Sequence, residues 1–303
     1  MNGPFSGLLV PMLTPFTEDL SIDTTRAADY CQSLLDDGAD GIVLLGTTGE
    51  ANSLTADERR SLLETLCRQG IPAERFMVGI GGCSWPETAA ALQHSAQQGA
   101  AAVLMLPPFF YKQPAVGDDG LFEFVSRVID QTSGAKTPVY LYHIPQVTQI
   151  GWSFDLIRRL VNSFPDRIVG IKDSAGDWEH TKQLIAAFPE LDVFPGFELT
   201  LLQTLRTGGV GCITATGNVN LKGIRSLCQS FESAEAESLQ EQARTIRLAV
   251  QEAGPPITVM KSLLAAKTND PAWAAVRPPL SRMPDAVGQQ LDVHLRDLGW
   301  SGL

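Results

Sequence analysis

The segment RIVGIKDSAGD, residues 167–177, runs Ile168, Val169, Gly170 and Ile171 straight into a cation, Lys172, and an anion, Asp173. Apolar runs of this kind, bounded by turn residues, read as strands buried on both faces. A lysine at the tip of such a strand ordinarily snorkels to water. In an apolar throat, however, lost hydration disfavours an ammonium and frees the neutral amine to attack a ketone. The iminium so formed accepts the electrons released when a neighbouring bond breaks. That chemistry needs a proton shuttle within hydrogen-bond reach, and Tyr142 in PVYLYHIP (138–145) offers a phenol. A 2-oxo acid also needs its carboxylate held. In GTTGE (46–50), Thr47 and Thr48 lie between glycines, and their backbone N–H groups and hydroxyls suit an anion without a full positive charge. Taken singly, Tyr142 would be a core ring and His143 a structural histidine. The Thr pair would be a mere turn before a helix capped by Thr55, whose TADE forms a capping box with Glu58. Only convergence of lysine, tyrosine and threonines on one rim yields Schiff-base chemistry on a 2-oxo acid.

The elements that must position them follow from the apolar runs. These fall at 7–13, 41–46, 76–82, 101–108, 138–145, 168–172, 192–196 and 211–216. Between them lie amphipathic stretches such as TTRAADYCQSLLDDG, TADERRSLLETLCRQG and PETAAALQHSAQQGA, several closing on glycine as helices do. Strict strand–helix alternation implies a parallel sheet with right-handed crossovers, and eight units imply a closed (β/α)₈ TIM barrel. The expected organisation is a barrel core over 1–220, then the last barrel helix and a C-terminal helical extension over 221–303, packed on the barrel. Helices are expected over 234–254, 257–267 and 284–298, with the proline-rich AVRPPLSRMP between the last two. Barrel enzymes carry their reactive groups at the C-terminal ends of the strands. Those ends hold GTTGE, Tyr142-His143, Lys172, Gly196 and TATGN (214–218).

The chain has 303 residues, 44% of them hydrophobic and 19% charged, with a net charge of −11. A nucleic-acid binder would show a basic face, and the only Lys/Arg groupings are pairs such as Arg59-Arg60 and Arg158-Arg159. No apolar run is long enough to span a membrane. The opening MNGPFSGLLVPMLTPF lacks a basic leader and is broken by prolines, so a signal peptide is not expected. Five scattered cysteines without CxxC spacing fit reduced thiols of a cytoplasmic protein. Histidines 94, 143, 180 and 294 show no ligand spacing, so neither a metal nor any other cofactor is expected.

The motifs GTTGE (46–50), YHIP (142–145), GIKDSAGD (170–177) and FPGFE (194–198), in this order, resemble the dihydrodipicolinate synthase / N-acetylneuraminate lyase family over nearly the whole chain. The resemblance implies a homotetrameric barrel, or a dimer of dimers, that binds pyruvate as a Schiff base. It makes Lys172 the imine-forming residue and Tyr142 the proton shuttle. Thr47 would relay to the tyrosine hydroxyl, Thr48 would bind the pyruvate carboxylate, and Gly196 and Ile213 would line the pyruvate site. Two places depart from the synthases. Val147 stands where they carry an arginine that grips the aldehyde's carboxylate. Phe110, followed by Tyr111, stands where they carry a tyrosine reaching into the neighbouring subunit. As in the sugar-acid lyases, GFE makes Glu198 a candidate acceptor for sugar hydroxyls, a solvated loop acid being the alternative. Ser174 could assist it, while Phe109, Phe110, Ile144 and Val147 favour a partly apolar aldehyde. The expected activity is therefore a class I lyase or aldolase acting on pyruvate and an aldehyde. A dihydrodipicolinate synthase, a 2-keto-3-deoxy acid dehydratase and a non-catalytic 2-oxo-acid-binding protein are the alternatives.

Overall fold

The structure is a computed structural model and describes residues 3–300 and 302. Its first half alternates β1 (Gly7–Pro11), α1 (Thr24–Asp36), β2 (Gly41–Leu44), α2 (Ala56–Arg68), β3 (Phe76–Ile80), α3 (Trp85–Gln97), β4 (Ala102–Met105) and α4 (Asp118–Gln131). Then come β5 (Val139–His143), the short α5 (Pro145–Thr148), α6 (Phe154–Ser163), β6 (Ile168–Asp173), α7 (Trp178–Ala187), β7 (Asp192–Pro195), α8 (Leu201–Thr207), β8 (Gly211–Ile213) and α9 (Leu221–Gln229). The extension consists of α10 (Ala236–Glu252), α11 (Pro256–Thr268) and α12 (Asp285–Asp297). Every apolar run contains a strand, but several strands stop short of the run's end. There the chain leaves the sheet for the mouth loops while its side chains stay buried, as Met12 and Leu13 do after β1.

The eight strands are parallel in the order β7-β6-β5-β4-β3-β2-β1-β8, and the Val210 N–H donates to Val193 O at 3.1 Å where β7 meets β8. This is a (β/α)₈ barrel with C-terminal helices. Local chemistry starts the helices: Asp23 caps α1, Ser153 caps α6, and Thr55 and Glu58 complete both halves of the capping box on α2. Inside the barrel, Leu9, Val43, Met77, Leu104, Tyr140, Val169, Phe194 and Ile213 form one apolar cluster around Tyr142. A second cluster joins Leu13 and Val219 to Val250, Met260, Leu263, Trp273 and Leu295 of the extension.

The pairing of β5 with β6 contains one irregularity that decides the site. Val139 pairs with Ile168, but Tyr140 pairs with Gly170, so Val169 is an extra residue, and the shifted register runs on to Tyr142 opposite Lys172. A one-residue shift exchanges the faces of all side chains beyond it. Without the bulge, Ile171 would stand beside Tyr142, and Lys172 would point at the helices; with it, Lys172 enters the barrel. Bulges are a known device for re-aiming a side chain beside an active site. Gly170 permits the arrangement, because a Cβ there would meet the Tyr140 ring at 2.4 Å and Asp192 O at 2.5 Å.

The extension grips the barrel through Arg277, whose guanidinium donates to both Glu58 oxygens and to the carbonyls of Ser53 and Leu20.

Two predictions follow from these contacts. Gly170→Ala should destabilise the fold by about 1–3 kcal/mol through overpacking, read as a lower urea midpoint. The hydrogen bonds from Arg277 hold the Glu58 carboxyl down at about 2, against an ordinary 4.5. A carboxylate depressed by folding contributes stability that is complete above its unfolded pKa and is lost as pH falls through the folded one. Arg277→Met should therefore cost about 1–2 kcal/mol near neutrality. Thermal melts should show the gap to the unmodified protein closing between pH 4.5 and pH 2.

Candidate active site

Tyr142 and Lys172 lie side by side on adjacent strands, with Lys172 Nζ 4.2 Å from the centre of the phenol ring. Both are withdrawn from water, at 5% and 6% exposure. Trp152 Nε1 donates to Tyr142 O at 3.1 Å and braces the strand from outside. Burial by itself would raise the phenol's pKa. The charge of Lys172 and hydrogen bonds with Thr47, Lys172 and Ser174 outweigh it and hold the phenol below its ordinary 10. The groups that act on the phenol are thus an amine and two hydroxyls, partners with which it could exchange a proton.

The turn after β2 brings Thr47 to this hydroxyl. Leu45 and Glu50 bracket it in the left-handed region, at φ 61 and φ 55. The Leu45 carbonyl occupies space that only a glycine leaves open at position 79, where a Cβ would lie 2.2 Å from it. Inside the turn the Gly49 N–H donates to Gly46 O and the Glu50 N–H to Thr47 O, both at 3.1 Å, while the Thr14 hydroxyl donates to Gly49 O at 2.7 Å. Among the described residues, neither Thr47 nor Thr48 spends its backbone N–H on a protein acceptor. Thr47 is exposed and Thr48 buried. A small cavity of about 20 Å³ joins Gly46, Thr47, Gly79, Leu104, Leu106 and Tyr142, and a larger one of about 420 Å³ opens beyond it between α2 and α3.

On the opposite side, the Gly196 N–H donates to Asp173 O at 2.7 Å, and Ile213 belongs to the cluster inside the barrel. Ser174 is buried, and its hydroxyl is among the groups that lower the Tyr142 phenol's pKa. Glu198 corrects both readings of the sequence: it is neither an open acceptor for sugar hydroxyls nor a solvated loop acid. It is fully buried, and its carboxylate accepts from the Thr214 and Thr216 hydroxyls and from Arg247 Nη1 of α10 at 3.3 Å. A buried carboxylate must be paired, and the guanidinium from the extension takes that place. At the rim, Phe110, Tyr111 and Val147 are exposed.

Sequence spacing concealed two further groupings. His143, Asp173 and His180 offer ligand atoms that all lie within 4.8 Å of one another, a set that could in principle hold a cation. Each is already engaged. Asp173 accepts from His180 Nδ1 at 3.0 Å, from Thr181 and from the Ala175 N–H, while His143 Nδ1 accepts the Trp152 N–H at 3.2 Å. Burial pushes His143 down to about 4, whereas the hydrogen bond with Asp173 raises His180. The second grouping is the buried pair of Glu50 with Lys261. Its sequence signal is a lone lysine in the apolar run ITVMKSLLAA, the same kind of anomaly that marks Lys172.

Comparison with known proteins gives the family of the chain and confirms its fold. The model of the dihydrodipicolinate synthetase family matches residues 4–297. A protein of Chloroflexus aurantiacus, named as an uncharacterized DapA-like lyase, is 34% identical over 90% of each chain. YagE of Escherichia coli, provisionally named a 2-dehydro-3-deoxy-D-gluconate aldolase, is 28% identical over 97% of each chain. The crystal structure of YagE in complex with pyruvate superposes with a TM-score of 0.87, over 98% of this chain and 99% of that one. The crystal structure of dihydrodipicolinate synthase from Agrobacterium tumefaciens superposes at 0.89, with 28% identity over 97% of this chain and 99% of that one.

The contact between β6 and β7 gives a test of the site's tolerance. A Cβ on Gly196 would lie 1.8 Å from Ser174 Oγ and 3.0 Å from Ser174 Cα. Gly196→Ala should therefore push Ser174 off the Tyr142 hydroxyl and lower turnover at least about tenfold, in the range of an acid–base network disturbed rather than removed. Adding Ser174→Gly should not recover the loss, because the hydroxyl is then missing. Steady-state rates of the two variants check this.

Proposed function

The chain belongs to the dihydrodipicolinate synthetase family, whose named relatives include a lyase and an aldolase, and we propose that it is a class I lyase or aldolase working through an imine between pyruvate and Lys172. The observation that carries the reading is the placement of Lys172 Nζ against the Tyr142 ring inside a desolvated throat. Lys172 as the free amine attacks the ketone carbon of the 2-oxo acid, pyruvate in synthesis and the longer 2-oxo acid in cleavage, and gives a carbinolamine. The Tyr142 phenol donates a proton to the departing hydroxyl, water leaves, and the C=N bond forms. In the cleavage direction the bond between the methyl-derived carbon and the aldehyde carbon breaks. Its electron pair moves into the iminium to give an enamine, and the aldehyde is released as its hydroxyl loses a proton; the enamine carbon then gains a proton, and water hydrolyses the imine to free pyruvate and Lys172. Synthesis runs the same steps backwards. Thr47 passes protons between the phenol and the mouth. Thr48, with the unspent N–H groups of the turn, holds the carboxylate. The imine itself is the electron sink, so no further cofactor enters.

The rim bears on the aldehyde half. Val147, 60% exposed, offers no charge to a substrate carboxylate. Lacking such a clamp should cost a synthase reaction with aspartate semialdehyde about 2–5 kcal/mol. This favours an aldehyde without a carboxylate to be gripped there. Assembly into a homotetramer or a dimer of dimers belongs to the same reading, and the exposed Phe110–Tyr111 pair is apolar surface of the kind that subunit contacts cover.

Reduction with borohydride in the presence of pyruvate should place one adduct on Lys172, located by mass spectrometry, and an unmodified Lys172 would end the proposal. Lys172→Ala should leave the fold intact and abolish turnover. Tyr142→Phe should slow imine formation roughly 10²–10⁴-fold, and an unchanged rate would remove the phenol from the mechanism. Product analysis on a panel of 2-oxo acids and aldehydes separates carbon–carbon cleavage from dehydration and from synthase turnover. Pyruvate binding without trapping would instead mark a 2-oxo-acid-binding protein.

A further inference from the structure

The turn that presents Thr47 and Thr48 ends on Glu50 in a left-handed backbone, φ 55, which L side chains seldom adopt. Its carboxylate is wholly enclosed. Lys261 Nζ, equally enclosed, meets Oε1, and the Arg277 N–H donates to Oε2 at 3.0 Å. Lys261 also donates to Ala275 O at 2.8 Å and lies 4.3 Å from the centre of the Phe16 ring. Lys261 belongs to α11, and Ala275 and Arg277 to the segment before α12. The extension therefore holds the last residue of the turn by both carboxylate oxygens, while Thr14 holds Gly49 from the barrel side.

Stability alone is a poor reason for such a pair. Two buried charges are costly to desolvate, and replacing a buried ion pair with apolar residues of similar volume is often neutral or stabilising. What the pair does supply is direction, since a strained backbone persists only where its surroundings over-determine it. We propose that Lys261 is a positioning residue: acting through Glu50, it holds the Thr47–Thr48 turn in the shape that receives the carboxylate of the 2-oxo acid. The helical extension is then a working part of the site. The inference rests on the reading of this turn as the carboxylate holder.

The test compares the unmodified protein with Lys261→Met and with Glu50→Gln/Lys261→Met, the second leaving no charge buried without a partner. Borohydride trapping on Lys172 is followed against the concentration of pyruvate and, in parallel, of hydroxyacetone, a ketone with no carboxylate. Both variants should need at least about ten times more pyruvate for half-saturation, while trapping at saturating pyruvate stays within a few-fold, the pattern of lost ground-state binding. The hydroxyacetone concentration for half-saturation should not change, since that ketone has no carboxylate for the turn to hold. An unaltered pyruvate half-saturation in the double variant overturns the inference, as does an equal loss with both ketones, which marks general damage to the site. If Lys261→Met alone fails to fold, the double variant decides. Failure of the unmodified protein to trap pyruvate on Lys172 is a separate result, and it defeats the functional reading instead.

Discussion

One extra residue in one strand pair is the constraint on which the site depends. Parallel strands pair so that partners share a face, and the shift at Val169 puts Lys172 on the face of Tyr142 and Phe194. Two consequences come together. The lysine exchanges solvent for an apolar barrel interior, and it lands in van der Waals range of a phenol. The same strand ends then fix what lies on the outside. Asp173, next in the chain, points toward α7, where His180 and Thr181 satisfy it. Inner and outer faces thus divide the work, chemistry within and bracing behind.

Charge burial follows a consistent pattern around the mouth. Asp173 is answered by His180 and Thr181, Glu198 by Arg247 with two threonines, and Glu50 by Lys261 with a backbone N–H. Each acid ends a strand or lies in the loop that follows one. Two of the three are answered from the extension rather than from the barrel. A carboxylate removed from water without a partner would be prohibitively unfavourable, so these loops cannot relax without breaking an ion pair or a hydrogen-bonded cluster. The result is a rigid rim around an otherwise apolar throat, the preorganisation that a covalent mechanism needs for its proton transfers.

Lys172 differs from these groups in having, among the described residues, no carboxylate partner, its near neighbour being the face of an aromatic ring. Tyr142 is held below its ordinary pKa by that amine and by hydroxyls. The chain shares its family and fold with relatives named a lyase and an aldolase, and its rim carries the uncharged Val147 and the exposed Phe110 and Tyr111.

The amino-acid sequence by itself determined the eight strands, because buried parallel strands are continuous apolar runs. It determined the starts of helices such as α2, because a capping box is written in neighbouring residues. It also placed Lys172, Tyr142, Thr47 and Thr48 at the ends of strands, since residue type and position after an apolar run are local facts. Tertiary structure alone decided the rest. Whether Lys172 faced in or out depended on a register shift between two strands, which no single strand's pattern records. Sequence alone offers Glu198 as a sugar-hydroxyl acceptor or a solvated loop acid, because its partner, Arg247, lies 49 positions away. Glu50 and Lys261 are 211 positions apart and meet only when the extension closes on the barrel. Periodicity and capping are encoded within a few residues of chain, whereas the partner of a buried charge is chosen by packing, and packing exists only once the chain has folded.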